Sequence, residues 1–199
     1  MNIVRGAGAL KDATQTKERK SVDWFGISPG KTKTIRFLQE IDYEVDGFNE
    51  DADVGALVLI HNPPGPDGFK YKYLVPDDML DQVPDWQPKQ RLYINVLEDG
   101  EVKMWDCSKR TARAILNMSA NYDGLTNRAW MVTREGGGTD TQYILMPKDP
   151  DGGVDVTEYL DDIVRPEDIL IELTPERLAR VGTPAPDADV EGDASEWTA

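Results

Sequence analysis

The chain holds one histidine, His61, and one cysteine, Cys107, and this scarcity narrows its chemistry at once. Nucleophilic hydrolysis commonly takes a histidine as base, but His61 closes an apolar run, where it reads as an ordinary strand-end residue. Structural zinc takes about four Cys/His ligands at close spacing, which His61 and Cys107 do not supply. Acidic pairs such as Asp77-Asp78 and Asp161-Asp162 have the form of a divalent-cation site. In a chain with 37 Asp+Glu, however, neighbouring carboxylates are common and read as solvated surface. Gly136–Gly138 neither opens a helix nor has the spacing of a phosphate loop. The reading is a protein that is not an enzyme, with no catalytic residue, no metal and no cofactor.

The residue types that do suggest a chemistry are cations interleaved with rings. A nucleic-acid single strand is held by cations that meet phosphates and by exposed rings that stack on bases, at ~1–3 kcal/mol per base. Three segments carry that mixture. In FKYKY, period two puts Phe69, Tyr71 and Tyr73 on one face and Lys70 and Lys72 on the other. Either the rings are core and the lysines line a groove, or the reverse holds. In GKTKTIRFL, Ile35 and Phe37 point inward and leave Thr34 and Arg36 outward, with Lys33 close by. In NRAWMVTRE, Arg128, Trp130 and Arg134 share one face as a basic–aromatic–basic stripe.

A further cation cluster follows Ser108. Lys109, Arg110 and Arg113 crowd the first turns of an expected helix, where the positive end of the helix dipole disfavours them. An anion at that end would meet free N–H groups, the dipole and three side chains together.

The elements that must position these residues are mostly strands. Gly30–Leu38, Val54–His61 and Phe69–Val75 read as strands, and Asp42–Asp53 reads as an acidic loop. Pro76–Trp86 has room for a short helical turn. Arg91–Ser108 is a hairpin about the turn Glu98-Asp99-Gly100. Ser108 then caps a helix of about three turns that packs Ala112, Ile115, Leu116 and Ser119 on one face. Arg128–Pro147 is a second hairpin, hinged at Gly136–Gly138. Val156–Leu160 and Pro175–Val181 read as short helices. One mid-chain helix among about five short antiparallel strands fits an OB-type Greek-key barrel, mostly β with minor α and a C-terminal extension.

Charge divides the chain unevenly. Residues 1–148 hold 19 Lys+Arg and 22 Asp+Glu, a net of −3, and residues 149–199 hold 3 Arg and 15 Asp+Glu, a net of −12. Any anion-binding surface must therefore be a local patch, and the acidic end reads as an interaction tail. The organisation expected is a flexible arm over 1–20, a binding domain over 21–148, an acidic extension over 149–182 and a disordered tail over 183–199. No run of eighteen apolar residues exists, so no membrane span is expected. The N-terminus lacks the apolar middle of a signal peptide, and with one cysteine the chain reads as cytoplasmic.

Three blocks, WFGISPGKTKTIRFLQE, MWDCSKRTARAIL and YDGLTNRAWMVTREGGGTDTQYILMP, together resemble the single-stranded DNA-binding proteins of tailed bacteriophages, which carry an OB fold. The resemblance covers roughly residues 20–148. It implies sequence-independent binding and protection of single-stranded DNA during phage replication and recombination, in the cytoplasm of an infected bacterium. By position it implies DNA contacts at Lys33, Arg36, Trp105, Lys109, Arg110, Trp130, Arg134 and Tyr143. To these the stripes add Lys70, Tyr71, Lys72 and Arg128, and the cluster after Ser108 adds Arg113. It further implies a tail, here Asp187, Asp189, Glu191, Asp193, Glu196 and Trp197, that recruits phage or host replication and recombination proteins and competes with DNA for the groove. A homodimer stays open. The competing reading is an acidic replication adaptor or DNA mimic that binds a protein and ignores DNA.

Overall fold

The computed structural model describes residues 22–46, 54–65 and 72–181. The arm over 1–20, Lys70, Tyr71 and the tail residues lie outside the described residues. The fold is mostly β with few helices. Its strands are β1 Thr32–Phe37, β2 Glu40–Asp46, β3 Val54–Asn62, β4 Tyr73–Leu74, β5 Gln87–Glu98, β6 Glu101–Ser108, β7 Ala129–Glu135, β8 Gln142–Pro147 and β9 Ile171–Glu172.

The local readings that rest on turn chemistry hold. At the β5–β6 turn Asp99 and Gly100 both have positive φ, 51° and 85°, as a two-residue hairpin matched to strand twist requires. That turn sets the register of the long hairpin, from Glu98↔Glu101 down to Arg91↔Ser108. Ser108 Oγ then accepts the Thr111 N–H at 3.2 Å and caps helix α1, Lys109–Asn121. The β7–β8 hairpin turns at Gly136, where φ is 68° and a Cβ would meet the Asp140 carbonyl oxygen at 2.5 Å. The Pro76–Trp86 stretch contains a 3-10 turn at Asp77–Gln82.

The start of the segment Asp42–Asp53, expected as a loop, is a strand through Asp46, and 47–53 lie outside the described residues. EIDYEVD pairs as β2, parallel to β3, with a bulge between Ile41 and Asp46. In its sequence Ile41, Tyr43 and Val45 alternate with carboxylate residues, so the period was present and the acidity obscured it.

The pairing runs β6–β5–β1–β7–β8, with β3, β4 and β9 continuing from β5 and β2 added beside β3. These nine strands exceed the five expected, and the sheet is not closed. No ladder joins β6 to β8 among the described residues. The five strands nevertheless curl about one core that holds Ile35 and Phe37 of β1, Ile94 of β5, Trp105 of β6, Trp130 of β7 and Leu145 of β8. Ala112 and Ile115 bring α1 onto the same core, where the helix packs against β5, β6 and β8. The unpaired seam between β6 and β8 is bridged by a ring contact, Trp105 to Tyr143, edge to face at 5.1 Å.

Part of the outer face, over β3, β5 and β6, is covered by residues of the extension, while Ile144 and Met146 of β8 stay exposed. Val164 packs with Ala56, Val58, Ile60, Tyr93 and Met104. Buried Asn95 fixes that docking: its Nδ2 donates to the Val164 carbonyl at 3.0 Å, and its Oδ1 accepts the Val164 N–H at 3.1 Å. A third cluster buries Leu173 with Tyr73, Met79, Val83 and Trp86, beside the β4–β9 pairing. Short helices occur at Val156–Tyr159 (3-10), α2 Pro166–Ile169 and α3 Pro175–Leu178. Among the described residues, no helix is long and apolar enough to cross a membrane.

Candidate nucleic-acid interface

A cleft of about 820 Å³ opens along the β6–β8 seam. One wall is the end of β6 with the first turn of α1, contributing Trp105, Asp106, Ser108, Lys109 and Arg110. The facing wall is Arg134 of β7, Thr141 and Tyr143. Residues 24–27 close one side. They are held to β6 by the Phe25 N–H donating to the Met104 carbonyl and the Met104 N–H donating to that of Asp23, at 2.9 and 2.8 Å. The same segment reaches β7, where Arg134 Nη1 donates to the Ile27 carbonyl at 2.8 Å.

Among the described residues, five cations, Lys72, Arg91, Lys109, Arg110 and Arg134, face this cleft with one carboxylate, Asp106. On a chain of net charge −15 this is a concentrated inversion of sign. The start of α1 adds to it, because its first turn contains no acidic residue and its dipole points a positive end at the cleft. Three of these cations are engaged by neutral groups or by none. Arg134 also reaches Thr141 Oγ1 at 3.4 Å, Arg110 reaches Gln142 Oε1 at 3.4 Å, and Lys109 is exposed with no ion-pair partner among the described residues.

The rings divide sharply. Trp24 is 47% exposed at the cleft, with Lys72 Nζ 5.8 Å from its ring centroid. Tyr143 is half-buried against Trp105, and burial raises its phenol pKa. Phe25, though on the lining, is buried. One exposed ring thus stands beside five cations at the cleft.

The expected site residues fall into three groups. Lys72, Lys109, Arg110, Arg134 and Tyr143 do meet at the cleft, with Trp105 behind them in its floor. Trp105 and Trp130, read as contacts, are instead core, 2% and 0% exposed, and Trp130 Nε1 donates to the Leu125 carbonyl at 2.8 Å. Arg128 is buried too, donating to Asn127 Oδ1 and the Tyr122 carbonyl, both at 2.8 Å, where it fastens the end of α1. The Arg128–Trp130–Arg134 stripe is real in parity, but its face turns inward, and only Arg134 emerges into the cleft.

Lys33 and Arg36 lie outside the cleft and are engaged by carboxylates. Lys33 pairs with Glu98 at 2.7 Å; burial raises the Glu98 pKa, but Lys33 and Lys103 outweigh it and hold the carboxyl below its ordinary value. Arg36 makes a two-pronged contact with Asp151 of the extension. That bond, with the Gly153 N–H, pulls the Asp151 carboxyl down to about 2. Arg113 is exposed on α1 away from the lining. In the FKYKY segment, Tyr73 is buried and Lys72 faces the cleft, so at these two positions the ring is core and the lysine lines the groove.

Trp24, Arg91 and Asp106 were missed. Trp24 lies outside any strand stripe. Arg91 was recoverable from the hairpin, since counting back from the Asp99-Gly100 turn sets it opposite Ser108. His61 is buried within β3 and away from the cleft. Cys107 is buried in the same core as Trp105, and burial pushes its thiol well up, away from the thiolate form. No protein-family model matches the chain, nor does a curated protein or a solved structure.

Proposed function

We propose that the chain binds single-stranded DNA without regard to sequence, in the cleft along the β6–β8 seam, and performs no catalysis. The observation that carries this reading is the cleft's composition: five cations and an exposed tryptophan on a protein of net charge −15. A polyanion is drawn to such a patch although the rest of the surface repels it. A concave site holding a ring favours a splayed strand, whose bases stack, over a duplex, whose bases are already stacked. The curled β6–β5–β1–β7–β8 sheet, with α1 at its seam, is read as an open form of the OB-type Greek-key barrel. The resemblance of three sequence blocks to phage single-stranded DNA-binding proteins points the same way and sets the role in replication and recombination. The acidic tail over 183–199, with five carboxylates and no cation, is read as an intramolecular competitor and a docking point for replication proteins.

The test is a titration of oligo-dT into the full chain, read by tryptophan fluorescence across a salt series. Binding is expected to weaken steeply with salt, with a slope of about −0.7 per phosphate contacted. Removing residues 183–199 is expected to tighten it. Absence of binding at low salt, with or without the tail, contradicts the reading and favours an acidic adaptor that binds a protein.

A further inference from the structure

Among the described residues, the one carboxylate lining the cleft sits beneath two of its cations. Asp106 Oδ2 pairs with Lys72 Nζ, and its Oδ1 accepts Arg91 Nε at 2.6 Å. Arg91 Nη2 also donates to the Asp106 carbonyl at 3.2 Å. The Asp106 side chain is 11% exposed, less than either partner, so the cations lie over it and face the opening. From there Lys72 reaches the face of Trp24. A carboxylate in a polyanion site would, on charge alone, weaken binding. Two features argue the opposite here. Lysine and arginine carry much rotamer freedom, which an unheld pair would lose on meeting a ligand. Asp106 also takes few of their donors and leaves most of the ammonium and guanidinium hydrogens free for a phosphate.

We propose that Asp106 is a positioning residue: it fixes Lys72 against Trp24 and Arg91 beside the start of α1, so that one phosphate bridges the two cations while its base stacks on Trp24. This rests on the single-strand reading of the cleft. It makes an expectation opposite in sign to a charge count. Asp106→Asn removes a negative charge from the site, yet is expected to weaken oligo-dT binding by roughly tenfold at low salt and to lower the salt slope by about 0.7, the share of the one bridged phosphate. Thermal unfolding of the same variant checks the fold, which by itself would not move the salt slope of the folded fraction. Unchanged or tighter binding by Asp106→Asn overturns the proposal while leaving the cleft reading intact. Failure of the wild-type chain to bind oligo-dT overturns both. Should Asp106→Asn not fold, Lys72→Gln and Arg91→Gln carry the test. Each is expected to lower the slope by about 0.7, and unchanged slopes overturn the proposal.

Discussion

The cations of β1 and those around the start of α1 look alike in the sequence, and the fold treats them differently. Lys33 and Arg36 face Glu98 and Asp151, so each positive charge ends against a carboxylate that the chain itself provides. Lys109, Arg110 and Arg134 face a cleft and meet amide, hydroxyl and carbonyl oxygens or none, so their charge is not cancelled. Distance along the sequence separates the cases. Asp151 comes from the extension, 115 residues beyond Arg36, and nothing local to GKTKTIRFL announces it. A cation's availability is decided by what packs over it, and in this chain the acidic extension reaches Arg36 and packs over part of the outer face of the sheet while the seam stays open.

The same contrast divides the tryptophans, and there the largest effects are expected. Trp130→Ala empties a fully buried site and breaks the bond to Leu125, which should cost ~3–5 kcal/mol, read as a lower urea midpoint. Trp24→Ala should leave that midpoint nearly unchanged and weaken oligo-dT binding by ~1–3 kcal/mol. If Trp24→Ala unfolds the chain or binds normally, the division into core ring and stacking ring fails.

A smaller effect separates the paired cation from the free ones by pH. The folded Asp151 carboxyl lies at about 2, below the ~3.9 of an unfolded chain. Its pairing with Arg36 therefore stabilises fully above ~pH 4, and that contribution is lost as pH falls toward 2. The gap in thermal midpoint between wild type and Arg36→Gln should shrink across this window. A gap that persists at pH 2 would show that Arg36 acts through something other than the ion pair.

Much of the local structure was legible because its determinants are local. Asp99-Gly100, the Ser108 cap and the alternation of Ile35 and Phe37 each decide their conformation within a few residues, and each appears as read. β2 was obscured because carboxylates occupy the positions between its apolar residues. The sheet's openness and extra strands were not legible, since β9 pairs with β4 across about a hundred residues. The site was half legible for the same reason. The crowd of cations after Ser108 is a local signal, and the structure places Lys109 and Arg110 at the cleft. Whether a tryptophan in an alternating strand faces solvent or core depends on which face the fold covers, and for Trp105 and Trp130 the covered face won.

The central claim is that the open cleft, and not the outer face, binds the single strand. The most direct measurement sets two double variants beside the wild type in salt-dependent oligo-dT titrations, Lys109→Gln with Arg110→Gln and Lys33→Gln with Arg36→Gln. The first pair is expected to lower the salt slope by about 1.4 and weaken binding at every salt, and the second to leave the slope unchanged. Equal losses from both pairs, or a larger loss from Lys33 and Arg36, would contradict the account.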